Sequence, residues 1–139
     1  MSVIVTDTGF APDDWQPGFM TLAELAEGVA VLHAGLELPG DTAAEEVVPH
    51  LARTGLIRIR FTAFNDGRGF TLARRLRRQG YGGRLRAAGH VLADQYAMAR
   101  RSGFDEVEIS ADLAARQPAD QWVFRADWRA HDYQARLRG

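Results

Sequence analysis

The 139-residue chain has the length of one domain and a typical globular composition, with 46% hydrophobic and 25% charged residues. It contains no cysteine, which excludes disulfides, thiolate metal sites, cysteine-ligated iron–sulfur clusters and cysteine nucleophiles from this chain. The net charge of −1 hides an asymmetry, since residues 1–52 sum to −9, residues 53–104 to +10 and residues 105–139 to −2. This pattern favours internal ion pairing and argues against nucleic-acid binding.

The sequence has no sign of membrane insertion or secretion. No apolar run approaches the roughly 20 residues that a membrane span needs. The N-terminus MSVIVTDTG lacks the basic region of a secretory signal, so we expect a cytoplasmic protein.

The first third of the chain predicts a lead-in followed by short elements. Residues 1–20 indicate an irregular extended segment, anchored by Trp15 and Phe19. The next elements are a helix over 21–27 with a Thr21–Glu24 capping box, closed by Gly28, a buried strand over 29–34 and a loop over 36–41. Asp41 or Thr42 is expected to cap a helix that runs to about residue 51.

The middle of the chain alternates strands with helices. Strands are predicted over 56–62, 84–88 and 106–110, and helices over 71–79 and about 90–101. Each of these strands alternates apolar and charged side chains. The charged side chains define one face of the sheet: Arg58, Arg60, Arg84, Arg86, Glu106 and Glu108.

These elements predict an α/β fold in a single domain over 1–139. We expect a parallel sheet of about four strands with helices mainly on its apolar face, similar to half of a βα barrel. The charged face then needs a cover, which the tail over 111–139, a second copy of the chain or another partner can supply. The tail contains Trp122, Phe124, Trp128 and Tyr133, and its packing on the domain is favoured over a role as a docking segment.

The first candidate site is the loop after the strand at 56–62. Asp66 and Gly67 form a turn signal, Gly69 permits close approach of the backbone, and Arg68 lies beside the start of a helix. At the carboxyl edge of a parallel sheet this combination predicts an anion site. The alternative is that Asp66 and Arg68 only hold the turn together.

The second candidate site is the loop after the next strand, with Gly89 and His90 at the start of a helix. His90 is a candidate general base. Asp94 could pair with Arg68 or Arg86, and Gln95 is expected to bond a neighbouring loop. The histidines have no metal-ligand spacing, so we predict no metal site and no bound cofactor. Arg74, Arg75, Arg77 and Arg78 form a face that we expect to be solvated.

Residues 29–110 resemble the bacterial domain-of-unknown-function 934 family. The resemblance is carried by DGRG at 66–69, LARRLRRQGYGG at 72–83, LRAAG at 85–89, DQ at 94–95 and RSGFD at 101–105. Members of that family are often labelled as oxidoreductases probably involved in sulfite reduction. The resemblance implies a place in sulfur assimilation and leaves the mechanism open.

Three functions follow as hypotheses. The first is an accessory protein of assimilatory sulfite reduction that acts through a partner such as sulfite reductase or another sulfur-assimilation protein. The second is a small enzyme or sensor that binds an oxyanion or phosphorylated metabolite at Asp66, Arg68, Arg86 and the helix start at 89–90. The third is a structural homo-oligomer, such as a dimer, in which two charged faces pair.

Overall fold

A computed structural model describes residues 2–28 and 34–127 of the chain. The strand predicted over 29–34 lies, except for Ala34, outside these residues, as do Trp128 and Tyr133 of the tail. No helix within the described ranges has the length and apolar character that crossing a membrane requires.

The described residues form a seven-stranded mixed sheet. Its strands are β1 (Ser2–Thr6), β2 (Gly9–Pro12), β3 (Phe19–Met20), β4 (Gly35–Pro39), β5 (Leu56–Phe61), β6 (Arg84–Gly89) and β7 (Glu106–Ser110). Their order is β2-β1-β7-β6-β5-β4-β3. Strands β3 to β7 are parallel, whereas β1 is antiparallel to both β7 and β2. The predicted α/β class and the three central strands are confirmed, but the expected four-stranded parallel sheet is wrong in size and at its N-terminal edge.

Two segments predicted as irregular are strands. The lead-in contains the β1–β2 hairpin, whose turn ends at Gly9 with φ of +129°. A run of β-branched residues before a Thr-Asp-Thr-Gly turn is the signal for it. Residues 36–41 were predicted to be a loop because Pro39 and Gly40 suggested a turn, but the structure has strand β4 there. The signal for the strand is the alternation of apolar Leu36 and Leu38 with charged Glu37, as in the other strands.

The helices are α1 (Leu22–Ala26), α2 (Ala44–Val47), α3 (Arg68–Arg78), α4 (Tyr96–Ser102), α5 (Ala111–Arg116) and α6 (Ala119–Val123). The Thr21–Glu24 capping box of α1 is confirmed. The predicted cap of α2 is wrong, because Ala43 holds that position, and α2 continues into a 3₁₀ helix over Val48–Arg53. The helix predicted over 90–101 is a 3₁₀ turn (Ala93–Gln95) followed by α4.

The core lies between the apolar side of the sheet and the helices. The predicted alternation holds, since Ile57, Ile59 and Val107 are completely buried in this core together with Leu76 of α3. Trp122 of α6 is also completely buried, so the tail packs on the domain through α6.

A segment that we call the strap, residues 13–18, links the two edge strands β2 and β3. A flat sheet of seven strands has six spacings of about 4.8 Å, or roughly 29 Å in all. Seven Cα steps from Pro12 to Phe19 reach at most about 25 Å. The sheet must therefore curl, and because the strap contacts Arg84 and Arg86, the charged side is the concave one.

Candidate functional site

The loop before α3 is closed by its own side chains. Asp66 accepts hydrogen bonds from Arg68 Nε at 3.0 Å, from Arg68 Nη2 at 2.8 Å and from the Arg68 backbone N–H at 3.1 Å. The guanidinium, and then the backbone N–H, of Arg68 lower the pKa of Asp66 to about 2. Arg68 nevertheless remains 64% exposed, and its Nη1 lies 3.9 Å from Asp41.

The close approach predicted at Gly69 is a packing contact. A Cβ built at Gly69 would lie 2.5 Å from the ring of Phe61, and Gly40 packs against the Gly69 backbone. An open cleft of about 380 Å³ lies beside this contact, lined by Gly40, Asp41, Thr42, Arg68, Thr71, Leu72 and Arg75. Glycine is required here by Phe61, and the cleft is open to solvent beside it.

The second loop begins at Gly89, whose φ is +103°. The backbone N–H of His90 donates to the Phe61 carbonyl at 3.2 Å, and the exposed His90 ring stacks edge-on against Phe64 with centroids 5.0 Å apart. These contacts fix the loop beside the end of β5. The predicted role of His90 as a general base stays a prediction.

Gln95 ties the two loops together, as predicted. Its Oε1 accepts from the Leu92 N–H at 2.8 Å and its Nε2 donates to the Phe64 carbonyl at 2.8 Å. Asp94 is exposed and makes no ion pair with Arg68 or Arg86 among the described residues, so the predicted pairing is wrong. It instead borders a cleft of about 450 Å³, lined also by Leu92, Ala93, Gln117, Asp120, Gln121, Phe124 and Arg125.

Arg86 does not belong to the predicted anion site. It lies in the middle of β6, opposite Arg58 and Glu106 in the neighbouring strands, and its side chain is completely buried. Its Nε donates to Glu106 at 2.5 Å and its Nη1 to Glu108 at 2.9 Å. The structure therefore separates Arg86 from Arg68, because a mid-strand side chain faces the concave side of the sheet and not its carboxyl edge.

The whole charged face forms one ion-pair network. Arg84 donates to Glu106 at 2.7 Å, and Arg58 contacts Glu108 at 3.2 Å. Glu37 of β4 joins Arg58 at 2.8 Å and Arg60 at 2.6 Å. Arg86, Glu106 and Glu108 are buried, Glu37, Arg58 and Arg84 are half-buried, and Arg60 is exposed. Their charges are already paired within one chain, and the predicted pairing of two charged faces between copies stays a prediction. A homodimer through another surface stays a prediction.

Acidic residues of the N-terminal third complete this network. Asp14 contacts Arg84 at 2.5 Å, and Asp13 contacts Arg86 at 3.2 Å. The hydrogen bond from Arg84 holds the pKa of Asp14 below its usual value. Asp7, in the β1–β2 turn, likewise pairs with Arg100 of α4 at 3.2 Å. The internal ion pairing predicted from the charge asymmetry is confirmed, but the sequence did not identify Asp13, Asp14 or Glu37 as the partners.

Arg77 has a structural role that the sequence pattern missed. It was placed on the solvated face of α3, yet it donates to the carbonyls of Tyr81, Gly83 and Gly103 and contacts Asp105 at 2.9 Å. Asp105 in turn accepts from the Leu85 N–H at 2.9 Å. Arg77 therefore fixes the end of α3 to the starts of β6 and β7. Within 2–28 and 34–127, no three His, Asp or Glu side chains are grouped to hold a metal ion.

Residues 35–139 match the model of a family described as "Bacterial protein of unknown function (DUF934)". The chain belongs to this family. No curated protein and no solved structure matches it. The match confirms the predicted resemblance and corrects its limits, because it includes the tail after residue 110 and leaves the β1–β2 hairpin and the strap outside.

The residues that carry the DUF934 resemblance hold loops in place. Gly69 makes room for Phe61, Gln95 joins two loops, and Gly103 lies against Arg77 with φ of +110°. Asp105 completes the contact between Arg77 and β6. The motif residues therefore fix the loops at both the carboxyl and the amino edges of the sheet.

Proposed function

We propose that this DUF934 protein is a cytoplasmic accessory protein of assimilatory sulfite reduction. In this proposal it acts through a partner, such as sulfite reductase or another sulfur-assimilation protein, and does not itself carry electrons. The setting comes from the label that family members often bear. The structural observation that supports action through a partner is the internal pairing of the side chains predicted to do chemistry.

That internal pairing involves Asp66 and Gln95 at the carboxyl edge of the sheet. The Asp66 carboxylate is bound by Arg68. Both ends of the Gln95 amide are bound by backbone groups, one by Leu92 in its own loop and one by Phe64 in the preceding loop. Groups held in this way serve to shape a surface, and a rigid surface suits recognition by another protein.

The docking surface of this proposal lies around α6. Phe124 is 78% exposed and Val123 is 40% exposed, although the neighbouring Trp122 is completely buried. Arg125 lies beside the Phe124 ring, with Cζ 5.4 Å from the ring centroid. An exposed aromatic side chain with an adjacent arginine is a composition enriched at protein interfaces.

Growth of a gene-deletion strain tests the setting. The strain should fail on sulfate and on sulfite as sole sulfur source and grow on sulfide. Normal growth on all three sources would count against a role in sulfite reduction.

Complementation then tests the mode of action. Phe124→Ala should reduce both rescue of the deletion strain and co-purification of sulfite reductase. Met98→Ala removes another exposed side chain, 43% exposed on α4, and should rescue fully. Full rescue by Phe124→Ala would contradict docking through α6.

A second candidate function is oxyanion binding in the cleft beside α3. The observation that favours it is the exposure of Arg68, which lines the cleft together with Thr71 and Arg75. Millimolar sulfate, sulfite or phosphate should then raise the melting temperature, and Arg68→Ala should abolish the shift. An unchanged melting temperature at matched ionic strength would exclude this function.

A further inference from the structure

The strap crosses the concave face of the sheet and presents two carboxylates to it. Asp14 contacts Arg84 at 2.5 Å and Asp13 contacts Arg86 at 3.2 Å. Phe19, where the strap joins β3, lies under Arg58 with its ring centroid 3.7 Å from Cζ. The strap also bonds β4 through its backbone, because the Gly18 carbonyl accepts from the Gly35 N–H at 2.8 Å.

Arg86 has a hydrogen-bonding group that the strap does not satisfy. Among residues 2–28 and 34–127, no acceptor forms a hydrogen bond with its buried Nη2, although the carboxylate oxygens of Asp13 and Asp14 lie 3.2 and 3.8 Å away. A buried guanidinium nitrogen with unused N–H groups is rare, because the lost hydrogen bonds of such a group cost free energy. Arg86 Nη2 therefore lacks a well-positioned hydrogen-bond acceptor in the gap between Arg86 and the strap.

The charges of the network favour an anion when the strap is absent. Four arginines, Arg58, Arg60, Arg84 and Arg86, face three glutamates, Glu37, Glu106 and Glu108, which leaves a net charge of +1. The two aspartates of the strap change this to −1. An oxyanion that replaced them would restore the same balance and could meet Arg84 and Arg86 with several oxygens.

Hydrogen bonds within the strap fix its shape. The Trp15 N–H donates to Asp13 at 2.9 Å, and the Trp15 indole N–H donates to the Gly18 carbonyl at 2.8 Å, so the strap holds its own shape. Asp14 is 65% exposed, so water and ions reach its contact with Arg84. An exposed ion pair contributes little to stability, so Asp14 can separate from Arg84 at low cost, whereas the Gly18 end of the strap stays bonded to β4.

We propose that Arg84 and Arg86 form an anion-binding site for a small oxyanion, and that the strap is its removable cover, with Asp13 and Asp14 occupying the place of the anion. The site is distinct from the cleft at Arg68. It does not depend on the proposed role in sulfite reduction.

Neutralising the strap tests the proposal with inorganic sulfate and sulfite as probes. Calorimetric titration of the full chain should show at least tenfold tighter binding to Asp13→Asn/Asp14→Asn than to the wild type, because the competing carboxylates are gone. Asp94→Asn/Asp120→Asn removes the same charge from exposed positions outside the network and should bind as the wild type does. Sodium chloride at matched ionic strength should not reproduce the effect.

Three further variants locate the site. Arg84→Gln, added to the neutralised strap, should cancel the gain, whereas Arg68→Ala should leave it intact. The single variant Asp14→Asn changes an exposed side chain, keeps the fold and should show a smaller gain of at least threefold. The Trp15 indole N–H resonance should shift on saturation with sulfate, because the strap leaves the sheet.

Equal affinity of the strap-neutralised and the charge-matched control variants would overturn the proposal. So would a gain that Arg68→Ala abolishes, since the anion would then bind in the α3 cleft. The growth phenotype tests the proposed function separately, because Asp13→Asn/Asp14→Asn can change sulfate affinity whether or not the deletion strain depends on this protein.

Discussion

At the scale of single residues, glycines determine how closely the loops approach the sheet. Gly89 ends β6 with φ of +103°, and a Cβ there would lie 2.5 Å from the Phe61 carbonyl oxygen. Both the backbone conformation and the space require glycine. The backbone N–H of the next residue, His90, bonds the same carbonyl, so the contact between β5 and the second loop depends on Gly89.

Gly89→Ala should therefore lower the free energy of unfolding by about 2–4 kcal/mol, through strain and displacement of Phe61. Gly82→Ala is the matched control, because no atom lies within 4 Å of its Cβ and its φ is not positive. Its effect should stay within about 0.5 kcal/mol. Urea denaturation of both variants checks this, and equal stability of the two would contradict it.

The Asp66–Arg68 pair makes the stability of the fold depend on pH under acidic conditions. The pKa of Asp66 is lowered to about 2, below the value of roughly 3.9 of an unfolded chain. The ionised Asp66 therefore contributes its full stabilisation above its pKa in the unfolded chain, and this stabilisation is lost as the pH falls through about 2.

An NMR titration of the Asp66 carboxyl carbon should give a midpoint near pH 2. Arg68→Gln should raise that midpoint toward the ordinary value, because it removes the guanidinium donors. Arg75 lines the same cleft without bonding Asp66, so Arg75→Gln should leave the midpoint unchanged. A wild-type midpoint near 4 would show that the pair does not form in solution.

At the scale of elements, the end of α3 is joined to two strands by a single side chain. Arg77 donates to three backbone carbonyls and to Asp105. Arg78 follows it on the same helix, is exposed and has no ion pair among the described residues. The helical period alone placed both on one polar face, but the C-terminal turn of α3 directs Arg77 toward the loops.

Arg77→Ala should lower the free energy of unfolding by about 2–4 kcal/mol, because partly buried carbonyls lose their donors. Arg78→Ala should change it by no more than about 0.5 kcal/mol. Thermal and urea unfolding of the two variants measure the difference. A similar small effect of both substitutions would mean that water replaces the Arg77 hydrogen bonds.

At the scale of the whole molecule, the order of the strands determines where the fold is most stable. Strands β5, β6 and β7 have neighbours on both sides and contribute Ile59, Ala87 and Val107 to the core. Strands β2 and β3 lie at the edges, and β3 is only two residues long. Central strands open only with global unfolding, whereas edge strands open locally.

Hydrogen exchange should therefore be slowest for the amides bonded between β5, β6 and β7 and fastest at the two edges. Measurement by NMR at two pH values separates local opening from the chemical exchange step. Protection of β2 and β3 equal to that of β6 would contradict the strand order.

Much of this architecture is visible in short stretches of sequence. The alternation in β5, β6 and β7, the capping box of α1 and most of the helix predicted over 71–79, which the structure has at Arg68–Arg78, follow from side-chain periodicity and local hydrogen bonding. The uneven charge also predicted internal ion pairs correctly. The periodic features depend on residues two to four positions apart and the charge asymmetry on composition alone, so the sequence by itself determined them.

Only the tertiary structure decided which distant residues meet. The pairing of β1 with β7, the partners of Arg84 and Arg86 and the inward turn of Arg77 all join segments that lie far apart in the chain. An arginine can pair with any carboxylate, and its sequence neighbours do not identify which one. The curl of the sheet and the path of the strap determine the partners, because they bring Asp13 and Asp14 onto the concave face.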